Sequence, residues 1–540
     1  MSDGQPQTVI PPASALAADP GCGSDECGSQ ARALVAAMAL RPWGQVAPSV
    51  YETGRLVALA PWLDRHDERI AFLLGRQRAD GAWGPPEGYA VVPTLSATDA
   101  LLAVLPDAGS PAGRRPAVEA AVGRALAALP ALLATAPPEP GTPAFDLVVP
   151  ALVESINRRL AGPGVPAAAP RSVRLPSPGA DARLTAVRAA YAAGADLPPK
   201  LAHFGEVLAG PVGRSAPAGP AVGASPAATV AWLNVCGAGE GAEARRFLDE
   251  LVGESRGPVP CPSPITVFER AWTLSTLVRA GVDVRPSPAL VASLAGAVGV
   301  DGAATGAGLL ADADTTSVTL YALGRLGHAP DPASLWRYET ADGFCTWPGE
   351  DGFSVTTNAH VLDSFADHLR REPHADRYRA AVRRLVRVLL DRQDADGAWR
   401  DRWHASAYYA TACCVLALAA SGCAESAAAL RAAARWALAR QRDDGSWGRW
   451  EGTPEETAYA LQIILALPGD DPAVVVAALR GHSYLQRNRN RRDHPPLWYG
   501  KELYCPTTIV RATVTAGTHV VHSRLTRERA AAGSDFGPES

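Results

Sequence analysis

The sequence predicts an all-α protein built from two helical domains. Three observations carry this. Ala and Leu dominate, and β-branched runs are short. Segments such as RYRAAVRRLVRVLLDRQ (377–393) and SAAALRAAARWALARQR (426–442) place apolar residues at helical spacing. Near copies of one short motif recur: RQRADGAW (76–83), RQDADGAW (392–399) and RQRDDGSW (440–447), with YETADGFCTW (338–347) as a degenerate fourth.

The bulk composition narrows the class. A chain of 540 residues suggests two or three domains, and 47% apolar residues leave burial unrestricted. A net charge of −4, with no basic block and no stacking-aromatic pattern, argues against a nucleic-acid partner. No apolar run reaches the ~18 residues needed to span a bilayer without a charge or Pro, so no stable membrane insertion is expected. Residues 1–27 lack the charged-then-apolar pattern of a signal peptide and read as a polar, Pro-rich disordered lead-in; 526–540 read as a disordered tail. Nine cysteines without a CxxC pair suit a reduced, cytoplasmic protein, and Cys22 and Cys27 have no nearby partners for a metal.

The motif copies end at Trp347, Trp399 and Trp447, about 50 residues apart, or two helices per unit. Trp83 stands far from these, hence two domains. The motif itself reads as structural: Gln and Asp-Gly close one helix while the indole packs on its neighbour. Pro/Gly-rich seams fall at 210–228 and 255–264, with the main junction near the second.

The chemistry concentrates in LLADADTTSVTL (309–320), two carboxylates and two hydroxyls inside an apolar stretch. Three readings stand. Asp312 or Thr315 caps a helix start. The Asp-x-Asp pair binds a metal. Alternatively, two close carboxylates in an apolar pocket cannot both ionise easily, and one keeps its proton as a general acid.

The repeats and this acid pair together resemble the class II terpene cyclases, whose acid motif is DxDD and whose repeats are of the Q-x-x-D-G-x-W type. Further stretches, in family order, resemble the diphosphate-substrate, copalyl diphosphate synthase-like bacterial branch: VAPSVYETGRLVAL (46–59), FDLVVPALVESI (145–156), PPKLAHFGEVLAG (198–210), GPVPCPSPITVFERAW (257–272), SVTTNAHVLDSF (354–365), WHASAYYATACCVLAL (403–418), GTPEETAYALQ (452–462) and LWYGKELYCP (497–506). The resemblance spans roughly residues 30–525 and implies two (α/α) barrel domains in the family's βγ arrangement. The acid-bearing domain would comprise 28–47 and 263–525, with the other inserted at 48–262 and the site between them.

By position, the resemblance implies Asp314 as the acid that protonates a terminal alkene, Asp312 as its orienting neighbour, and Thr315 where the family has a further Asp. His203 would act at the terminating deprotonation, although Cys261 occupies the place of the Asn that accompanies such a His in plant ent-copalyl synthases. Lys200 and Lys501 would contact the diphosphate, and Glu154 with Asp146 would hold Mg²⁺ against it. Trp272, Tyr338, Trp347, Tyr408 and Tyr504 are candidate aromatic faces for carbocations. Read without the resemblance, the lysines and Glu154 are solvated charges, the aromatics are core, and His203 is a satisfied core histidine.

The implied reaction is proton-initiated cyclisation of geranylgeranyl diphosphate to a bicyclic diphosphate of the copalyl type. No DDxxD is present, so the diphosphate is retained, and a class I terpene synthase or a phosphatase would act next. Farnesyl diphosphate giving a drimenyl product is the first alternative; a non-catalytic helical scaffold is the second.

Overall fold

The computed structural model describes residues 24–106, 114–135, 141–162, 165, 170–195, 198–208, 219–236, 240–328, 330–350, 352–467, 469 and 471–534. Among them are 19 α-helices and three small two-stranded ladders.

Six helices form a closed ring. Thr266–Arg279, Ala313–Arg325, Val355–Arg371, Ala407–Ser421, Pro454–Leu465 and Thr507–Ser534 pack each on the next, and the last returns to the first. Outer elements fill the grooves between them, among them Asp376–Asp391, Ala427–Leu438, Pro472–Arg487 and the N-terminal helix Ser24–Ala39, which lies on the first and last inner helices. Composition explains the two layers. The inner AYYATACCVLALAAS carries no charge and is buried nearly all round. The outer DRYRAAVRRLVRVLLD buries Ala381, Val382, Leu385, Val386 and Leu389 and turns its arginines outward.

A second ring joins Val50–Leu59, Val91–Val104, Phe145–Leu160, the 3₁₀ segment Pro199–Val207 and Pro226–Leu233, which closes on the first. Outer helices again flank it. One of them, Arg114–Ala134, is long and apolar enough by length and composition to cross a bilayer, although Glu119, Arg124 and Pro130 interrupt it. Here it lays Val118, Val122, Leu126 and Leu129 into the core of the second ring. The protein is thus an all-α double barrel.

The Q-x-x-D-G-x-W motif is a repeated hydrogen-bonded corner. Trp83, Trp399 and Trp447 are fully buried, and each Nε1 donates at 2.7 Å to a carbonyl ten residues earlier, of Leu73, Leu389 and Ala437. Gln77, Gln393 and Gln441 each donate to their own Gly carbonyl and to a carbonyl of the next outer helix. One motif therefore closes one helix and ties down the next.

Two boundaries differ from expectation. The first helix begins at Ser24 rather than near 28. The last runs to Ser534 instead of ending at 525, because TRERAAA continues with strong helix formers. The rest of the expected lead-in (1–23, including Cys22), the end of the tail (535–540) and part of the first seam (210–218) lie outside the described residues.

Candidate active site

The acid corner follows from local rules. A short ladder, Ala303–Ala304 with Ala311–Asp312, feeds directly into helix Ala313–Arg325. Asp312 is its N-cap: Oδ1 accepts from the Thr315 amide at 2.6 Å and Oδ2 from the Thr315 hydroxyl at 2.9 Å. Capping therefore accounts for Asp312 and Thr315. It does not account for Asp314, two positions on and so on a different face of the helix. Asp314 Oδ1 lies 2.6 Å from Nδ1 of His360, on the adjacent inner helix Val355–Arg371. Oδ2 of Asp314 makes no hydrogen bond among the described residues, and the side chain keeps 14% exposure amid buried neighbours.

Burial pushes the Asp312 carboxyl up to about 7; bonds from Thr315 oppose that rise and the Asp314 charge adds to it. Burial works against the His360 imidazolium, but the Asp314 carboxylate raises the ring well above the usual histidine range, with Cys413 contributing. Asp312 and His360 are thus both raised, one on either side of Asp314 in the site.

Aromatic faces surround this corner. The Trp272 ring is edge-on to His360 at 5.5 Å, and its Nε1 donates to the Tyr409 hydroxyl at 3.1 Å. Tyr409 in turn packs on Trp498 and stacks on His404. Tyr408 is a correction: one residue is about 100° of helical turn, and its ring packs outward on Trp436, leaving Tyr409 to face the ring interior. Trp347 packs against Trp403, and Tyr338 donates to the carbonyl of Asp301 with its ring buried. A cavity of about 60 Å³ lies inside the ring beside Trp272, His360, Tyr409 and Cys413, but Asp314 does not line it. It is far below the several hundred Å³ of a ligand pocket, so the side chains around Asp314, not this void, define the candidate site.

A second corner lies across from the first. His203 Nδ1 is 2.6 Å from the Gly223 carbonyl, and Nε2 is 3.9 Å from Cys261 Sγ. Burial and the nearby Lys501 charge hold the imidazole down to about 4. It is neutral at pH 7, with Nδ1–H donating and Nε2 carrying the lone pair. Between the corners stands Tyr504, whose phenol is raised by burial, with the Cys261 and Asp314 charges both adding.

The expected anion and metal ligands are placed differently. Lys501 is 1% exposed and donates to Glu52 Oε1 at 2.7 Å, Glu206 Oε1 at 2.7 Å and Ser225 Oγ at 2.6 Å. Its three donors are spent within the protein, which corrects the expectation of a direct diphosphate contact. Lys200 is exposed and makes no ion pair among the described residues. Glu154 is bonded by Arg158 at 3.2 Å and Arg188 at 2.6 Å; the Arg188 bond holds its carboxyl below the usual range. Asp146 accepts from Arg183 at 2.7 Å and sits about 12 Å further along the helix. No group of three or more ligating side chains occurs among the described residues. Glu154 and Asp146 do not fit as joint ligands of a protein-held Mg²⁺: they are too far apart and already paired to guanidiniums.

Reading the residues in sequence missed His360, Tyr409 and the Glu52–Glu206–Lys501 cluster. His360 lies inside SVTTNAHVLDSF, a stretch already singled out, so a signal existed. Glu52, Glu206 and Lys501 also lie in stretches singled out (46–59, 198–210 and 497–506), but nothing along the chain pairs them.

The family model described as Squalene-hopene cyclase C-terminal domain matches residues 351–493. An ent-copalyl diphosphate synthase of Streptomyces sp. (strain KO-3988) is 40% identical over 92% of this chain and 96% of its own length. A labda-7,13-dienyl diphosphate synthase of Streptomyces clavuligerus is 42% identical over 93% and 94%. The structure of ent-copalyl diphosphate synthase from Streptomyces platensis superposes with a TM-score of 0.86 at 41% identity, covering 92% of this chain and 99% of that one. The double barrel, the Asp314–His360 corner and these likenesses agree: the chain belongs to the class II terpene cyclases, in the branch that holds the copalyl diphosphate synthases.

Proposed function

We propose that this protein cyclises geranylgeranyl diphosphate to a bicyclic diphosphate of the copalyl type, the diphosphate being retained. One observation carries the reading: Asp314, at the start of an inner helix, is hydrogen-bonded through one oxygen to His360, the ring against which Trp272 stands edge-on. An alkene is a very weak base, so a carboxylic acid can protonate it only where the acid stays neutral, is aimed, and water is kept away.

The steps follow the geometry. The Asp314 O–H bond breaks as the proton forms a C–H bond at the terminal alkene. His360 stabilises the carboxylate left behind, and Asp312, fixed by Thr315, orients the acid. The cation migrates through ring closures past Trp272, Tyr409 and Tyr504, whose faces are worth about 0.5–2 kcal/mol each to a cation. His203 Nε2 takes the final proton. The diphosphate is held by Lys200 and by the guanidiniums of Arg158, Arg183 and Arg188, which Glu154 and Asp146 keep in place. Mg²⁺ belongs to this reading only as the counter-ion brought in with the diphosphate.

The relatives above are named for different products, so similarity alone does not choose the bicycle. A class I terpene synthase or a phosphatase would consume the product, and a cytoplasmic setting suits the free thiols. The test is incubation of the purified chain with geranylgeranyl and farnesyl diphosphate separately, followed by dephosphorylation and GC–MS. A cyclic diterpene alcohol, absent with Asp314→Asn, is the expected result. Linear alcohols alone would refute it, and a cyclic product from the farnesyl arm alone would shorten the substrate by one isoprene unit.

A further inference from the structure

Lys501 is a buried charge that the proposed reaction does not use. It sits at the tip of the hairpin formed by Trp498–Tyr499 and Leu503–Tyr504, which belongs to the six-helix ring. The tip reaches into the other ring at three places. Lys501 Nζ bonds Glu52 on helix Val50–Leu59, Glu206 on the 3₁₀ segment Pro199–Val207, and Ser225, the N-cap of Pro226–Leu233. The next residue, Glu502, accepts from the Ser49 hydroxyl at 2.6 Å and the Tyr51 amide at 3.1 Å, closing the N-terminus of the first of these helices.

Glu206 lies three residues after His203. Both belong to the short segment Pro199–Val207, so a hold on Glu206 restrains His203 through the short stretch of chain that joins them. That segment is not stiff alone, since its backbone leaves helical geometry at Phe204 (φ −108°). It is fixed from outside on two sides. On one, Gly223 (φ +55°) lets the chains approach so closely that a Cβ there would stand 2.4 Å from the His203 amide nitrogen. On the other is Lys501. The same hairpin carries Tyr504, three residues on, which stands between the Asp314 and Cys261 corners.

We propose that Lys501 is a positioning residue: it sets the His203 imidazole relative to Asp314 across the two rings and so decides which proton the last carbocation loses. The inference rests on the cyclase reading above. A tertiary cation has several adjacent C–H bonds. The one nearest His203 Nε2 breaks, its electron pair becomes the alkene, and the proton goes to nitrogen. If the imidazole moves, a neighbouring C–H is lost instead. If it moves out of reach, water forms the C–O bond and sheds its own proton, giving a hydroxylated diphosphate. Product identity thus reads the imidazole's position. Glu52 and Glu206 bring two carboxylates to one buried place, and Lys501 is the cation between them. The two segments therefore close only when the hairpin is seated.

The experiment compares wild type, Lys501→Arg and the triple variant Lys501→Met/Glu52→Gln/Glu206→Gln, which removes the buried charges together. Each is given geranylgeranyl diphosphate and read by product profile, turnover and Tm. The expected result is that both variants still consume substrate, while double-bond isomers and hydroxylated products rise about tenfold relative to the main bicycle, most in the triple variant. An unchanged profile with only slower turnover overturns the role and leaves Lys501 structural. Should the triple variant fail to fold, the Lys501→Arg profile decides the matter in the same two ways. Wild type giving no cyclic product overturns the cyclase reading along with this role, whereas a cyclic wild-type product with unaltered variants overturns the role alone.

Discussion

The two buried corners solve opposite problems with the same tools. At Asp312–Asp314–His360, burial and a second carboxylate raise an acid, Asp312 reaching about 7. At His203, burial and a neighbouring Lys501 charge depress a base to about 4. Asp312 thereby holds a proton beside Asp314 up to about 7, while His203 keeps its lone pair down to about 4. The corners differ in origin. Asp312, Asp314 and Thr315 lie within four residues and are oriented by one helix N-terminus, with only His360 arriving from elsewhere. The His203 corner is assembled from segments near 50, 203, 223, 261 and 501. Sharp local geometry suits a proton donor. A corner spread over two rings suits a group whose placement selects among products.

Removing the acid should separate the corners most strongly. Asp314→Asn is expected to lower cyclisation by about 10³-fold, measured as cyclic product per unit time, while Tm moves little because the N-cap at Asp312 is untouched. His203→Ala should act less on rate, about tenfold, and more on identity, with hydroxylated or isomeric diphosphates replacing the main bicycle in GC–MS. If His203→Ala instead abolished all substrate consumption, the division of labour between the corners would be wrong.

The pH profile sharpens the contrast. Asp312, which orients the proposed donor, loses its proton as pH rises through about 7, so kcat/KM should fall above that point. His203 stays unprotonated down to about 4, so no acid limb should appear until then. Stability carries the same signs. Asp312, raised in the folded state, contributes stability present below its usual value of 3.8 and lost as pH rises to about 7. His203, depressed when folded, contributes stability present above 6.5 and lost as pH falls towards about 4. Asp312→Asn should flatten the first slope of Tm against pH, and His203→Gln the second.

The smallest effect is expected away from both corners. Trp447→Phe removes the indole donor to Ala437, whose carbonyl keeps the Arg440 amide at 3.0 Å, so the cost is about 0.5–1.5 kcal/mol. Denaturant titration should show that loss, with the product profile unchanged. A changed profile would mean that the tryptophan corners tune the site as well as the scaffold.

Much of this was open to reading along the chain. Helical periodicity and uncharged inner segments determined an all-α protein. Recurrent Gln-x-x-Asp-Gly-x-Trp corners pointed to stacked helical hairpins, because each motif's contacts lie within one turn and the following helix. That one Asp and one Thr of the acid stretch cap a helix was legible for the same reason; that the cap is Asp312, leaving Asp314 out of it, came from the structure. Tertiary structure alone decided the rest. Which of Tyr408 and Tyr409 faces inward depends on the rotation of one helix within the ring. His360 meets Asp314 only because two inner helices are neighbours. Lys501, by sequence a candidate ligand for an anion, is consumed by Glu52 and Glu206 from the opposite ring. Charge pairing between residues about 300 and 450 positions apart leaves no periodic trace in a chain; it is set by where folding brings their side chains, and by the cost of burying any of them alone.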